Sequence, residues 1–85
     1  MERTKRINNI LKKHLTDFTI EIVDNSSFHK GHNNFKGYGE THLKLTLIKN
    51  SKNKINRLKI HKFINFLLEK EFKKGLHALE INITQ

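Results

Sequence analysis

The 85-residue sequence contains no cysteine. A disulfide framework and a thiolate metal site are therefore excluded within this chain. A reducing compartment fits that composition without being required by it. No apolar run approaches the roughly 18 residues of a membrane span, and no signal-peptide-like apolar stretch follows Met1. The basic stretch from Met1 to Leu15 has the charge of a transit peptide, but only Thr4 supplies a hydroxyl and its apolar residues fit the fold. A cytoplasmic protein with no membrane partner is the expectation.

Acidic residues are scarce as well. Eight Asp and Glu stand against 17 Lys and Arg, giving a formal charge of +9 and a pI near 10.1. That balance attracts nucleic acid, an anionic membrane surface or an acidic protein. From Thr41 to Leu68 there is no acidic residue, while Lys44, Lys49, Lys52, Lys54, Arg57, Lys59 and Lys62 are all basic. A merely solvated basic face has the same composition, so charge alone does not choose a partner.

What is present is well patterned. An apolar content of 35% in one chain of this length supports a single small core. Ile7, Ile10, Leu11 and Leu15 follow helical spacing over residues 3–15. Phe18, Ile20 and Ile22 alternate with Thr19 and Glu21 in a strand that Asp24-Asn25-Ser26-Ser27 ends. Leu43, Leu45 and Leu47 alternate in a second strand. A helical pattern from about Ile55 to Phe72 uses Leu58, Phe63, Ile64, Leu67, Leu68 and Phe72, with a short separate turn expected before the main helix. Lys73-Lys74-Gly75 reads as its C-cap, and Leu79, Ile81 and Ile83 define a last strand.

The expected fold is a single two-layer α+β domain over residues 1–85, in the order α-β-β-(short α)-α-β. Its three-stranded mixed sheet carries helices on one face. The first two strands pair antiparallel, and the crossover helix makes the second and third a right-handed parallel pair. That topology places His77 beside His42.

Between the first two strands lies the stretch from His29 to His42, which holds three of the six histidines and three of the four glycines. Connections longer than about 12 residues without their own secondary structure are uncommon in compact domains and are usually functional or disordered. Imidazoles in such a loop point to ligand binding.

Asp24-Asn25-Ser26-Ser27-Phe28-His29-Lys30-Gly31-His32, Gly39-Glu40-Thr41-His42 and Glu71-Phe72-Lys73-Lys74-Gly75-Leu76-His77-Ala78-Leu79 together resemble the BolA-like family. The resemblance covers nearly the whole chain. It implies a fold like the reversed (type II) KH domain. It also implies partnership with a monothiol glutaredoxin, in which a [2Fe-2S] cluster is shared for iron–sulfur assembly, trafficking or iron regulation. The alternative role attributed to the family is DNA-binding transcriptional regulation linked to stress response and cell morphology. The positions that match the cluster ligands are His32 and His77, with His29 as the alternate loop ligand. The family's Phe-x-Gly and Arg-His-Arg elements correspond here to Lys52-Asn53-Lys54 and Ile60-His61-Lys62, a departure in the segment that would touch a partner or nucleic acid.

The chemistry suits a shared site. A [2Fe-2S] cluster needs four ligands, and two histidines replace two cysteines in Rieske centres. Without thiolate, this chain holds no conventional cluster alone. As the resemblance implies, it would supply imidazoles while a partner's cysteine and glutathione supply sulfur. Whether the protein alone is a monomer or a weak homodimer stays open. His77 shares the phase of Leu79 and Ile81, which is also the pattern of a buried, hydrogen-bonded histidine. His42 and His61 read as structural or surface residues and His14 as an exposed helix residue. No His-Glu-x-x-His pair supports zinc. No Gly-x-x-Gly clamp lies between Asn50 and Phe72, so nucleic-acid contact there rests on Lys52, Lys54, Arg57, Lys59, His61 and Lys62. No nucleophile–base pair or paired acids mark an enzyme.

Overall fold

A computed structural model describes residues 2–25 and 41–85. Helix α1 (Glu2–His14) precedes strands β1 (Phe18–Asp24) and β2 (His42–Lys49). Helix α2 (Arg57–Leu67), the single-turn α3 (Glu69–Lys73) and strand β3 (Ala78–Thr84) follow. The sheet order is β1-β2-β3. β1 and β2 are antiparallel, with Ile20 opposite Leu47 and Ile22 opposite Leu45. β2 and β3 are parallel, with Leu43, Leu45 and Leu47 beside Leu79, Ile81 and Ile83.

This register puts Phe18, Ile20, Ile22, Leu43, Leu45, Leu47, Leu79, Ile81 and Ile83 on one face, because side chains alternate along a strand. Leu43, Leu45 and Leu47 are buried beneath Ile7, Leu11 and Leu15 of the first helix and its end, and beneath Ile64, Leu68 and Leu76. The opposite face carries Thr19, Glu21, Lys44, Thr46, Glu80 and Asn82 across the same pairings. The small mixed α+β architecture is as the residue pattern predicts.

Two details of the crossover differ from that pattern. No helix precedes α2, whose start is fixed by Asn56: its side chain accepts the Lys59 backbone N–H at 3.0 Å. The short helix instead follows α2, because Leu68 leaves helical geometry at φ −100°, ψ 11°. Leu58 and Phe63 are not core residues; they are 65% and 38% exposed. Ile60, Ile64 and Leu67 set the buried stripe, and at 100° per residue Leu58 and Phe63 fall about 120° and 100° away from Ile64.

One charged residue is buried among the described residues. Glu71, 4% exposed, accepts Nε of Arg6 at 2.8 Å and Nη2 of Arg6 at 2.9 Å, and Nε of Arg3 at 3.1 Å. The two-pronged Arg6 pair and the second guanidinium compensate the burial of the carboxylate. Arg3 also donates to the Lys74 carbonyl at 3.0 Å, so the first turns of α1 hold the end of α3. At the other end, Asp17 accepts Lys49 Nζ and Ser51 Oγ, each at 2.6 Å. Those bonds, Lys49 first, hold its carboxyl below the usual range.

The bonds from Arg6, with Arg3 adding to them against the opposing effect of burial, lower the Glu71 pKa from its ordinary 4.5. A depressed carboxylate contributes stability above its unfolded pKa and loses it as pH falls through that value toward the folded one. Stability toward denaturant, followed from pH 7 to pH 3, should therefore fall below about pH 4.5. Glu71→Gln should flatten that acid limb and cost on the order of 3 kcal/mol at neutral pH, the usual scale for breaking a buried ion pair.

Candidate functional site

The end of the crossover determines where His77 sits. Gly75 has φ +122°, a conformation that L side chains rarely adopt. Leu76 N–H bonds the Glu71 carbonyl at 2.9 Å and Gly75 N–H the Phe72 carbonyl at 3.5 Å, the paired bonds of a Schellman cap. Leu76 then enters the core at 3% exposure, and the next residue meets the start of β2. There the Thr41 carbonyl accepts the backbone N–H of His77 at 2.8 Å and of Ala78 at 3.1 Å.

The side chains follow the backbone. The His42 and His77 rings lie 5.0 Å apart between centroids, tilted by 50°. The Thr41 hydroxyl and His42 Nδ1 share a hydrogen bond of 3.0 Å. Ala78 is the register partner of His42, so only a methyl group lies across from the imidazole. Asn25 N–H bonds the His42 carbonyl at 2.7 Å. The residue after β1 thus lies beside the start of β2 at this strand end.

His77 is exposed. The pattern of a buried, hydrogen-bonded histidine does not apply, because β3 begins one residue later at Ala78. His42 is half-buried and His61 half-buried on α2. His14 is exposed and meets Phe63 edge-on at 5.7 Å. His29 and His32 lie outside the described residues, as does the rest of the glycine-rich stretch through Glu40.

Lys52, Lys54, Arg57, Lys59 and Lys62 are exposed. Gln85 donates to the carbonyl of Asn53 at 3.0 Å, and Arg57 reaches that of Ile83 at 3.4 Å. The beginning of the basic segment therefore sits at the far end of β3. Seven strand residues separate it from His77, about 20 Å at the usual rise. The histidine pair and the head of the basic segment form two surfaces.

Among the described residues, the strand end presents the imidazoles of His42 and His77, with the Asp24 carboxylate at the end of β1 opposite Leu43. The chain has no cysteine, and no group of three or more His, Cys, Asp or Glu suited to one metal ion occurs among the described residues. Such a site fits a metal group only as a minority ligand donor. It fits a cluster whose sulfur ligands come from another molecule.

Comparison with known proteins agrees with this reading of the fold. The family model described as BolA-like protein matches residues 11–85. The chain belongs to the BolA-like family. The BolA domain of SufE1 from Arabidopsis thaliana superposes with a TM-score of 0.78 at 36% identity, covering 99% of this chain and 92% of that one. The UV-induced protein uvi31 of Schizosaccharomyces pombe is 33% identical over 95% of this chain and 82% of its own length. The SufE-like protein 1 of Arabidopsis thaliana, chloroplastic/mitochondrial, is 37% identical over 93% of this chain, which spans only 22% of that relative.

Two features of this BolA-like domain escape a reading of residue spacing. Thr41 looks like ordinary strand sequence, yet its carbonyl and hydroxyl organise both histidines. Phe66 lies in an apolar-rich run of α2, yet it is 71% exposed, which spacing alone does not reveal. The exposed basic segment should bind a random-sequence duplex in a salt-limited way. Fluorescence anisotropy should show affinity falling by orders of magnitude between about 50 and 200 mM salt. Replacing Lys59 and Lys62 by Ala should reduce the log–log slope by about two. An affinity that persists through that range for one sequence alone would instead indicate base reading.

Proposed function

We propose that this BolA-like chain is a non-catalytic adaptor that pairs with a monothiol glutaredoxin and lends imidazole nitrogen to a shared [2Fe-2S] cluster. The carrying observation is the exposed His77 at the strand end, with Asn25 and Thr41 hydrogen-bonded beside it. His77 is the ligand from the crossover side, and His32, or alternatively His29, is the ligand from the stretch between Asn25 and Thr41. The partner's cysteine and glutathione supply the sulfur that this chain lacks.

The bound cluster supplies one-electron chemistry and is itself the cargo of assembly, trafficking or iron regulation. The chain's own residues hold and orient the ligands. A ligating imidazole must present a neutral ring nitrogen to the metal. The exposed lysines and Arg57 meet an acidic partner surface and speed encounter with it.

A second reading is transcriptional regulation through DNA. It is favoured by one observation, the solvent exposure of Lys52, Lys54, Arg57, Lys59 and Lys62 in a segment without acidic residues. These residues form phosphate contacts, which position a protein on nucleic acid without specifying sequence.

Mixing the protein with cluster-loaded monothiol glutaredoxin should change the cluster's visible absorption and circular dichroism. His77→Ala should abolish the change while leaving the far-ultraviolet spectrum and thermal midpoint intact, since the ring is exposed. Comparing His32→Ala with His29→Ala identifies the second ligand. An unchanged spectrum with the wild-type protein would refute the adaptor reading.

A further inference from the structure

A histidine that binds metal is normally held in one orientation by a hydrogen bond to its other ring nitrogen, from a carboxylate, a carbonyl or water. Among the described residues His77 has no such partner, and its ring contact is with His42. An exposed side chain with three staggered χ1 wells would otherwise sample several of them. The neighbouring ring removes part of that freedom, because a centroid separation of 5.0 Å at a 50° tilt is direct ring contact.

His42 is itself well placed for this. It is half-buried, lies in the first position of β2, and shares its Nδ1 hydrogen bond with the Thr41 hydroxyl. Thr41 also fixes the backbone of His77 and Ala78 through its carbonyl. One residue thus sets both the main chain of the ligand and the ring that abuts it. The small Ala78 across from His42 leaves the space that the two rings share.

We propose that His42, anchored by Thr41, is a positioning residue that presents the His77 imidazole to metal in one orientation. The metal clause of this proposal rests on the adaptor reading above; the orientation of the ring does not. His42 acts through His77 and is not assigned as a ligand. Losing a hydrogen-bonded orienting partner typically costs 10–100-fold in metal affinity, and this sets the upper scale for losing a ring contact.

The first measurement uses the protein alone, without metal. Three-bond couplings across the His77 χ1 angle should report one dominant rotamer in the wild type. They should report an averaged value in His42→Ala, with amide shifts of α1 and β1 unchanged. His42→Phe restores a ring to the same space and should return His77 to one rotamer, which separates positioning from loss of fold. Thr41→Val, nearly the same shape without the hydroxyl, should shift the couplings in the same direction by less. In the mixed complex, His42→Ala should retain the cluster less well against a chelator, by up to about 10-fold, the low end of the outer-shell scale, while His42→Phe stays near wild type.

Averaged His77 couplings in the wild type, or a single rotamer preserved in His42→Ala, would overturn the proposal. Equal cluster retention by wild type and His42→Ala would overturn its metal clause. A wild-type protein that leaves the glutaredoxin cluster unperturbed, but whose couplings respond as described, would remove the adaptor reading and support the positioning role.

Discussion

The Thr41 carbonyl, accepting the backbone N–H groups of His77 and Ala78, starts the parallel pairing on which this domain depends. Parallel strands require a crossover, and here α2 and α3 supply it. Once the first pair is set, each following step is determined by strand alternation. Leu43, Leu45 and Leu47 face the helices with Leu79, Ile81 and Ile83, while the histidines collect where the two strands begin. The site is thus a direct consequence of register. A slip by one residue would send the core side chains to the solvent face and separate the rings.

Keeping that register is the work of the crossover's end. The buried Glu71 carboxylate ties α3 to Arg3 and Arg6 of α1, the Schellman cap at Gly75 reverses the chain, and Leu76 anchors it in the core. A buried carboxylate is costly unless fully compensated, and it is compensated here by charge-assisted bonds from two guanidiniums. The arrangement places a structural ion pair a few residues from an exposed imidazole. Stability and ligand presentation are therefore coupled through a short segment, residues 71–77, without sharing a side chain.

Much of the architecture was legible in the residues because alternation and helical spacing are local signals. The three strands, the antiparallel and parallel pairings, the glycine cap and the approach of His77 to His42 all follow from them, and the motifs around His32, Gly39-Glu40-Thr41-His42 and Gly75-Leu76-His77 carried the family. The phase of α2 was less legible. It contains Leu58, Ile60, Phe63, Ile64, Phe66 and Leu67, more apolar residues than one buried stripe accommodates, so spacing alone did not say which would face outward. The break at Leu68 was hidden for a related reason: a buried leucine in a helix-forming sequence carries no signal for its own φ and ψ. The exposure of His77 depended on whether β3 begins at 77 or 78, a one-residue boundary that periodicity does not resolve. Thr41 was invisible as an organiser because its role lies in its backbone carbonyl, which every residue has.

The functional account is one of division. The strand end offers imidazoles and no sulfur, the basic face begins about 20 Å away along β3, and each suits a different kind of contact. Under the proposed adaptor reading, the metal site is completed only together with a second molecule, which would make it conditional on encounter. The central claim is that imidazole nitrogen of this chain binds iron in such a complex. Labelling only this chain with 15N-histidine, pairing it with unlabelled cluster-loaded glutaredoxin and reducing the cluster allows a pulsed EPR measurement of the coupled nitrogens. The account predicts a directly coordinated 15N coupling that disappears in His77→Ala; a reduced cluster showing no strongly coupled 15N would contradict it.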